Sequence, residues 1–369
     1  MFIRSLKLRN FKSHREVKLD FPERICVITG NNGSGKTNLL DAIHHAGLLR
    51  SAFQRQDALN ISFNESFYRL DADLEEEGKS FRLTVLCESG KKKLVEWNGK
   101  SPERLALHLG KFPLVLILPD DPFQMNEDAD WRRAATDNVL SQSFPEYAAH
   151  LGRFKKLLSQ RNALLRYFSE GRKYDSLLLD ALDEEIAPES RQLFELRKRH
   201  LPALNEHLRE EYSHLSSGNE EASMLYISQL ADIPVEDLLK SRRHRDLEAG
   251  RTTAGLQRDD FEYLLNNIGL KKYASQGQQK TFLLALKLAQ YRFMKASLGK
   301  LPCLLLDDVF DKLDENRISR LIQRICAPDM GQVFLTDARE ERCRTLFRGI
   351  SCQMLSMDFS PDGIPSPLQ

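Results

Sequence analysis

One segment of eight residues constrains this chain more than any other. Residues 30–37, Gly-Asn-Asn-Gly-Ser-Gly-Lys-Thr, match the pattern GxxxxGK[ST] at every fixed position. The apolar run 25–28 precedes them, and apolar residues at helical spacing follow them over 38–49. A buried strand, a glycine-rich turn and a helix are the setting in which this pattern forms a phosphate-binding loop. Residues 30–37 (the phosphate loop) therefore predict a nucleotide site.

Each part of the phosphate loop has a chemical reason. Glycines allow backbone N–H groups to turn inward around phosphates, and the start of the following helix adds its positive end. Lys36 reaches the β- and γ-phosphates as a catalytic residue, and the Thr37 hydroxyl is a ligand of Mg²⁺. We predict that eight residues bind ATP: Gly30, Asn31, Asn32, Gly33, Ser34, Gly35, Lys36 and Thr37.

Two adjacent aspartates late in the chain are suited to complete such a site. They follow the apolar residues 304–306, which predict a second buried strand. A phosphate loop requires a magnesium carboxylate at the end of a neighbouring strand, and we assign that metal role to Asp307. Asp308 is the candidate catalytic base that orients the attacking water. The plainer alternative, an aspartate that merely ends a strand, stays open for each of them.

The two halves of this predicted site are about 270 residues apart, so a large insertion separates them. Strand-like alternation and apolar runs dominate residues 1–119 and return after 222, whereas the chain between them is charged and leucine-rich. We therefore predict an α/β fold. An ATPase head, with an N-terminal lobe at 1–119 and a C-terminal lobe at 222–369, is interrupted by a helical arm domain at 120–221.

The arm is predicted to contain three or four amphipathic helices. Two of them span 147–168 and 190–215, and Ser190 is a suitable N-cap for the second. Pro188 and Pro202 interrupt the pattern, so we expect no long coiled coil with sustained heptads.

A polar segment precedes a strongly apolar helix in the C-terminal lobe. Ser275 is followed by Gln278 three residues later, which is the pattern of a capping box. Gly277 lies between them, and a capped helix start with a glycine beside it exposes backbone donors that favour an anion. The local and the functional interpretation are compatible. Apolar residues nearly all round 278–295 predict that this helix is buried.

Composition excludes several classes of protein. The formal net charge is +1, so bulk positive charge cannot be the main source of any nucleic-acid binding. No apolar run approaches the roughly 20 residues that a membrane span needs. The alternating residues 1–7 do not resemble a signal peptide, and the six cysteines form no CxxC pair. We expect a cytoplasmic, reduced protein without a membrane partner.

Taken together, these motifs resemble the ABC-type ATPases of DNA maintenance and, among them, the RecF family. The phosphate loop, the late Ser-Gln-Gly-Gln-Gln segment and Leu-Leu-Leu-Asp-Asp about 30 residues further on are shared by all such ATPases. More specific are residues 160–162, Gln-Arg-Asn, and 258–260, Arg-Asp-Asp. The resemblance covers nearly the whole chain.

This resemblance implies a fold, a cycle and partners. The fold is an ABC-type P-loop ATPase head with a mixed sheet, flanking helices and two lobes. Such heads dimerise head to tail around two ATP molecules, so Ser275, Gly277 and Gln278 would contact the γ-phosphate held by the other subunit's Lys36. Slow, Mg²⁺-dependent hydrolysis releases the dimer. The family binds gapped DNA and single/double-strand junctions in recombinational repair and replication restart. It works with RecO- and RecR-type proteins to load the recombinase RecA.

The chain departs from the family pattern at three places. Leu256-Gln257 stands where Pro-His is usual, and Asp311-Lys312 replaces Ser-Glu. Asp337 occupies the position of a threonine or histidine switch residue. These departures concern the dimer interface and the sensing of the γ-phosphate, and they leave the nucleotide cradle intact.

Three basic clusters are candidate DNA contacts: 91–93, 197–199 and 242–245. Each is also compatible with an ordinary solvated charged face. Because one monomer is nearly neutral, the hypothesis is that DNA affinity depends on ATP-driven dimerisation and falls with salt.

Four other functions compete with this interpretation. A transporter ATPase subunit normally carries a Leu-Ser-Gly-Gly signature and a shorter insert. A chromosome-organising ATPase of the SMC kind needs hundreds of residues of heptads, and an ATP-gated nuclease needs a further acidic domain. A non-hydrolysing scaffold clamped by nucleotide is the alternative that differs most in class, and Asp308 is the residue that argues against it.

Overall fold

The computed structural model describes residues 1–103, 108–216, 220–311, 313–357 and 366–367. The strands are β1 (Phe2–Phe11), β2 (His14–Asp20), β3 (Ile25–Thr29), β4 (Phe67–Glu76), β5 (Lys79–Glu88), β6 (Leu94–Trp97), β7 (Leu114–Ile117), β8 (Ala222–Ile227), β9 (Asp260–Leu265), β10 (Ile268–Gly269), β11 (Cys303–Asp307), β12 (Val333–Asp337), β13 (Gln353–Ser356) and β14 (Ser366–Pro367). The helices are α1 (Lys36–Leu48), α2 (Asp121–Glu127), α3 (Ala129–Ser143), α4 (Pro145–Ser169), α5 (Ser176–Ser216), α6 (Val235–Ala249), α7 (Leu270–Tyr273), α8 (Gln276–Leu298), α9 (Glu315–Cys326) and α10 (Glu340–Leu346).

A parallel sheet assembled from distant parts of the chain carries the phosphate loop. Its order is β13-β3-β12-β11-β7, with β14 antiparallel at the outer edge beside β13. Strands β3, β11 and β12 are buried along their whole length. For β3 and β11 this confirms the interpretation of their apolar runs as strands covered on both faces. Cys26 and Ile28 pack on the side of α1, whereas Ile25 and Val27 pack into the core that contains α8.

An antiparallel sheet closes the face that carries α1. Its order is β2-β1-β4-β5-β6, and its alternating burial confirms the strands predicted from the period-two pattern. Phe11 and Tyr68 of this sheet meet edge to face at 5.3 Å, and the Tyr68 hydroxyl bonds to His45 of α1 at 3.1 Å. The sheet therefore fixes the helix that begins in the phosphate loop.

The helices α2 to α5 fall within the segment predicted to be the arm, but one of them differs from the prediction. The break before residue 190 and the N-cap at Ser190 are wrong, because α5 is one helix of 41 residues that contains Pro188 and Pro202. The Ser190 hydroxyl bonds to the carbonyl oxygen of Ile186, inside the helix. Leucines along one face of α5 pack into the core, and this burial outweighs the cost of the prolines. None of the helices that the structure describes is long and apolar enough to span a bilayer.

The C-terminal lobe surrounds the buried helix α8. This helix is longer by a few residues than predicted and is buried over most of its length, as expected. It packs against α5 and β7, and a small antiparallel sheet of order β10-β9-β8 completes the lobe. Because α6 packs on α4 and α5, residues after 222 also contact the arm. The division at 119 and 221 therefore stays a prediction.

A fully buried arginine joins the arm to the C-terminal lobe. Arg161 of α4 is 0 % exposed and donates to Asp183 of α5 at 2.6 Å and to Asp246 of α6 at 2.7 Å. Its guanidinium also bonds to the Thr252 hydroxyl at 2.8 Å. Buried charges remain stable only when they are paired and hydrogen-bonded, so three helices are held in one relative position.

Removing one partner of this network leaves charges that are buried and unpaired. We expect Arg161→Ala to lower the free energy of unfolding by about 3–5 kcal/mol. The control is Arg153→Ala, on the same helix α4 as Arg161. It breaks the half-exposed ion pair with Glu189 of α5 and should cost about 1 kcal/mol or less. Urea denaturation followed by circular dichroism measures both. Equal losses in the two variants would contradict the structural role of Arg161.

Candidate nucleotide-binding site

The phosphate loop has a backbone that glycine makes possible. It connects the end of β3 to the first turn of α1, and Gly30, Gly33 and Gly35 adopt φ values of +142°, +84° and +94°. A Cβ on Gly35 would lie 2.8 Å from Cε1 of His14, the first residue of β2. Any side chain at residue 35 would therefore be strained by its backbone and would collide with the ring of His14.

Polar groups of the loop fit an anionic ligand. The Lys36 ammonium donates to the carbonyl oxygens of Gly30 at 2.7 Å and Asn31 at 2.9 Å, so it lies across the loop. The Ser34 hydroxyl is buried and has no hydrogen-bond partner among the described residues. A buried hydroxyl without a partner is costly, and a phosphate oxygen would supply the missing acceptor. These features fit the triphosphate of ATP.

The predicted magnesium residues meet in space. The Thr37 hydroxyl bonds to the Asp307 carboxylate at 2.9 and 3.1 Å, although 270 residues separate them. The Thr336 hydroxyl donates to the same carboxylate at 2.5 Å from the neighbouring strand β12. Among the described residues no group of three His, Cys, Asp or Glu could hold a metal. One hydroxyl and one carboxylate suit Mg²⁺, which takes oxygen ligands and completes its shell with water and phosphates.

Thr336 is a site residue that the sequence analysis missed. The family pattern predicts the switch position at the next residue, Asp337. Thr336 lies opposite both Asp307 on β11 and Ile28 on β3, so it bridges the two strands that carry the site. In the sequence, Thr336 is only a hydroxyl residue at the end of a buried apolar strand. Its place in the site can be recognised only once the order of the strands is known.

Asp308 lies at the junction of two clefts. It lines a cleft of about 230 Å³ with the phosphate loop and a second one of about 550 Å³ with Gln276 and Gln279 of α8. Its φ of +47° is rare for a residue other than glycine and stores strain of the kind found at functional sites. Burial raises the pKa of its carboxyl group, and the charges of Asp311 and Asp337 raise it further.

The segment at the start of α8 forms the predicted capping box. The Ser275 hydroxyl accepts from the backbone N–H of Gln278 at 3.3 Å, and the Gln278 side chain accepts from that of Ser275 at 2.8 Å. A Cβ on Gly277 would lie 2.7 Å from the Arg317 guanidinium of α9. None of Ser275, Gly277 and Gln278 is among the described residues that line the cleft of the phosphate loop. The structure thus does not bring this predicted part of the site to the phosphate loop of the same chain.

The three departures from the family pattern lie in different surroundings. The Asp337 carboxylate is fully buried, accepts from the Arg342 guanidinium, and is not among the described residues that line the cleft. Leu256 is buried in a short turn, and the Gln257 amide donates to Ala254 at 2.7 Å. Asp311 accepts from the Lys280 ammonium through its backbone oxygen. Lys312 lies outside the described residues.

At least one residue in each basic cluster predicted as a DNA contact is committed to an ion pair elsewhere. Arg197 is 2 % exposed and pairs with Asp137 and Asp259, both at 2.8 Å, so it is a core residue rather than a surface contact. Arg243 pairs with two aspartates of α5 at 2.6 and 2.9 Å. Lys93 pairs with Asp57 at 2.8 Å. The prediction of exposed patches is wrong for these three residues, because each one satisfies a neighbouring carboxylate.

Comparison with protein families gives matches over nearly the whole chain. Residues 2–355 match the family model described as RecF/RecN/SMC N terminal domain. The chain is 35 % identical over 352 residues to the DNA replication and repair protein RecF of Flavobacterium johnsoniae, covering 94 % of this chain and 97 % of that one. It is 36 % identical over 348 residues to the protein of the same name from Cytophaga hutchinsonii, covering 94 % and 92 %.

Solved structures give the same result. The chain is similar to "the recombination mediator protein RecF-ATPrS in RecFOR pathway", with a TM-score of 0.88, 26 % identity, and coverage of 100 % of this chain and 98 % of that one. The corresponding RecF-ATP structure gives a TM-score of 0.86 with the same identity and coverage. An Smc head bound to the C-winged helix domain of ScpA gives 0.58 at 15 % identity, covering 100 % and 97 %, which indicates a shared fold. The fold is thus that of the ABC-type ATPase heads.

The contact between Thr37 and Asp307 leads to a prediction about metal-dependent binding. Thr37→Val keeps the shape of the side chain but removes the hydroxyl, so Mg²⁺ should no longer strengthen ATP binding. We expect the affinity for ATP in the presence of Mg²⁺ to fall roughly tenfold or more. Thr37→Ser keeps the hydroxyl and should retain most of the effect. Titration with a fluorescent ATP analogue, with and without Mg²⁺, measures this. Equal magnesium dependence in the two variants would exclude Thr37 as a ligand.

Proposed function

Because the chain belongs to the RecF family, we propose that it is an ATP-dependent DNA-binding protein of recombinational repair and replication restart. In this proposal two copies close head to tail around two molecules of Mg²⁺-ATP. Closure creates the DNA-binding form, and slow hydrolysis releases it.

One observation carries the proposal of a composite site. The phosphate loop lines one cleft, while the capped start of α8 lies outside the lining of that cleft with Ser275 exposed. An exposed helix start with a fixed cap presents oriented backbone donors to a ligand on another surface. A second copy, rotated by a two-fold axis, can bring its α8 to this phosphate loop and in return receive the same contact.

Within each composite site the residues have separate tasks. Lys36 binds the β- and γ-phosphates, and Thr37 and Asp307 would hold the metal ion. Mg²⁺, when bound, neutralises charge on the phosphate oxygens. Asp308 orients the attacking water and accepts its proton; its raised pKa suits a base that works near neutral pH. Ser275, Gly277 and Gln278 of the partner subunit contact the γ-phosphate and so link hydrolysis to the lifetime of the dimer.

The proposed partners follow from the named relatives. The similar solved structures are described as a recombination mediator in the RecFOR pathway, which supports RecO- and RecR-type proteins as partners of this chain. We assign it gapped DNA and single/double-strand junctions as substrates and the cytoplasm as its location. DNA affinity should then require ATP and fall as salt rises, because phosphate contacts release counterions.

The catalytic role of Asp308 has a direct test. Asp308→Asn keeps the size of the side chain but removes the base, so hydrolysis should fall by about 100-fold or more while ATP binding persists. Phosphate release under multiple turnover measures the first quantity and nucleotide titration the second. Asp311→Asn is the control: it removes a neighbouring charge that raises the pKa of Asp308 but keeps the base, so hydrolysis should persist. If Asp308→Asn hydrolyses ATP at the normal rate, the chain either uses another base or is a non-hydrolysing scaffold.

The trans contact of Ser275 is tested by a pair of variants. Ser275→Arg should retain ATP binding but lose ATP-induced dimerisation, because a bulky cation occupies the docking position of the partner's phosphates. Ser275→Ala removes the same cap, at a cost of about 1 kcal/mol to the helix, without adding bulk. It should still dimerise, with reduced affinity. Light scattering with and without Mg²⁺-ATP gives the mass. Tight ATP-dependent dimers of Ser275→Arg would overturn the composite site.

A further inference from the structure

A third cleft in the head is not used by the proposed ATP cycle. It has a volume of about 500 Å³ and lies between the segment that follows α1, the helix α3 and the edge strand β7. It shares no lining residue with the cleft of the phosphate loop. Its size is that of a small-molecule site, and its walls combine apolar surface with a few polar groups, as such sites do.

This cleft is lined by a polar side chain that makes no hydrogen bond to the described residues. Gln290 of α8 is 3 % exposed, lines the cleft, and has no hydrogen-bond partner among the described residues for its side-chain amide. Amides of buried side chains normally have hydrogen-bond partners. Gln290 therefore offers both a donor and an acceptor to a ligand.

Two of the positive charges at the cleft make no ion pair with the described residues. Asp121, the carboxylate at its wall, accepts from the Trp131 indole at 3.1 Å and pairs with the Lys287 ammonium at 3.4 Å. Arg50 and Arg55 have no carboxylate within ion-pair distance in the part of the chain that the structure describes. The Arg50 guanidinium has only a long bond of 3.4 Å to Asn138. Burial lowers the pKa of Arg50, which marks a charge that an anion would stabilise.

Aromatic side chains also line this cleft, beside the amide and the positive charges. Trp131 lines the cleft beside Lys287, whose ammonium lies 5.1 Å from the ring centroid. Phe53 also lines the cleft, with 44 % of its surface exposed. Guanidinium groups bind phosphate, aromatic rings stack on bases, and side-chain amides bond to base edges. These three chemistries occur together in one ligand class.

We propose that this cleft binds a mononucleotide unit, with its phosphate at Arg50 and Arg55 and its base between the aromatic wall and the amides of Gln290 and Asn138. The unit is either one nucleotide of a DNA strand or a free nucleotide, because both have this chemistry. Binding of a DNA strand rests on the proposed DNA-binding function, and binding of a free nucleotide does not.

Trp131 provides the readout. The chain has two tryptophans, so Trp97→Phe leaves Trp131 as the reporter, and Lys36→Ala removes binding at the phosphate loop. Titration of this double variant with deoxythymidine monophosphate, with oligothymidylate and with inorganic phosphate should change Trp131 fluorescence for at least one of the first two. A stronger response to the oligomer assigns a strand, and an equal response assigns a free nucleotide. A response to phosphate alone, or to none of the three, overturns the site.

Further variants separate this site from the proposed function. Arg50→Gln and Gln290→Leu should each weaken nucleotide binding by about tenfold or more. Arg166→Gln changes an exposed arginine on α4 that does not line the cleft, and it should leave nucleotide binding unchanged. Arg55→Gln at the exposed rim tests the site without altering the buried Gln290. If the wild type binds DNA but all cleft variants bind nucleotide like the parent, the site is wrong and the proposed function stands. If the wild type binds no DNA, the titration with deoxythymidine monophosphate still shows whether the cleft binds a nucleotide.

Discussion

The hydrogen bond between Thr37 and Asp307 is the contact on which the rest of this structure depends. It requires β3, β12 and β11 to lie side by side in one register, because Thr336 of the middle strand bridges the outer two. These strands are fully buried, so the core favours one arrangement. Closing a loop of 270 residues costs entropy that grows only slowly with length, and hydrophobic burial along the three strands offsets it.

The inserted helices are tied back to the site by polar contacts. Asn126 of α2 donates to Gln279 of α8 at 2.9 Å, and Lys271 pairs with Glu127 at 2.6 Å. The helix α2 follows β7 directly, and Pro119 between them lines the cleft of the phosphate loop. A short chain of residues thus connects the cleft of the phosphate loop to the start of α8. The buried arginines Arg161 and Arg197 pair with carboxylates of other segments and hold the arm against the C-terminal lobe.

The sequence predicted the parts of this molecule that local pattern determines. The phosphate loop, the fully buried strands and the capping box at Ser275 each depend on a few consecutive residues, and the structure confirms their conformation. The continuity of α5 through Pro188 was not predictable, because it depends on packing against elements far away in sequence. The same holds for Arg197, whose carboxylate partners lie in other segments, and for Gln290, which is notable only because a partner is missing.

The central claim is that two chains complete one ATP site, and mixing two inactive variants tests it most directly. Lys36→Ala lacks a working phosphate loop and Ser275→Arg lacks a working α8 start, so neither should hydrolyse ATP alone. In a head-to-tail pair, the phosphate loop of the second variant faces the intact Ser275 of the first. The mixture should therefore regain ATP hydrolysis, at up to about half the rate per dimer. A mixture as inactive as its two components, with both proteins folded, would contradict the account.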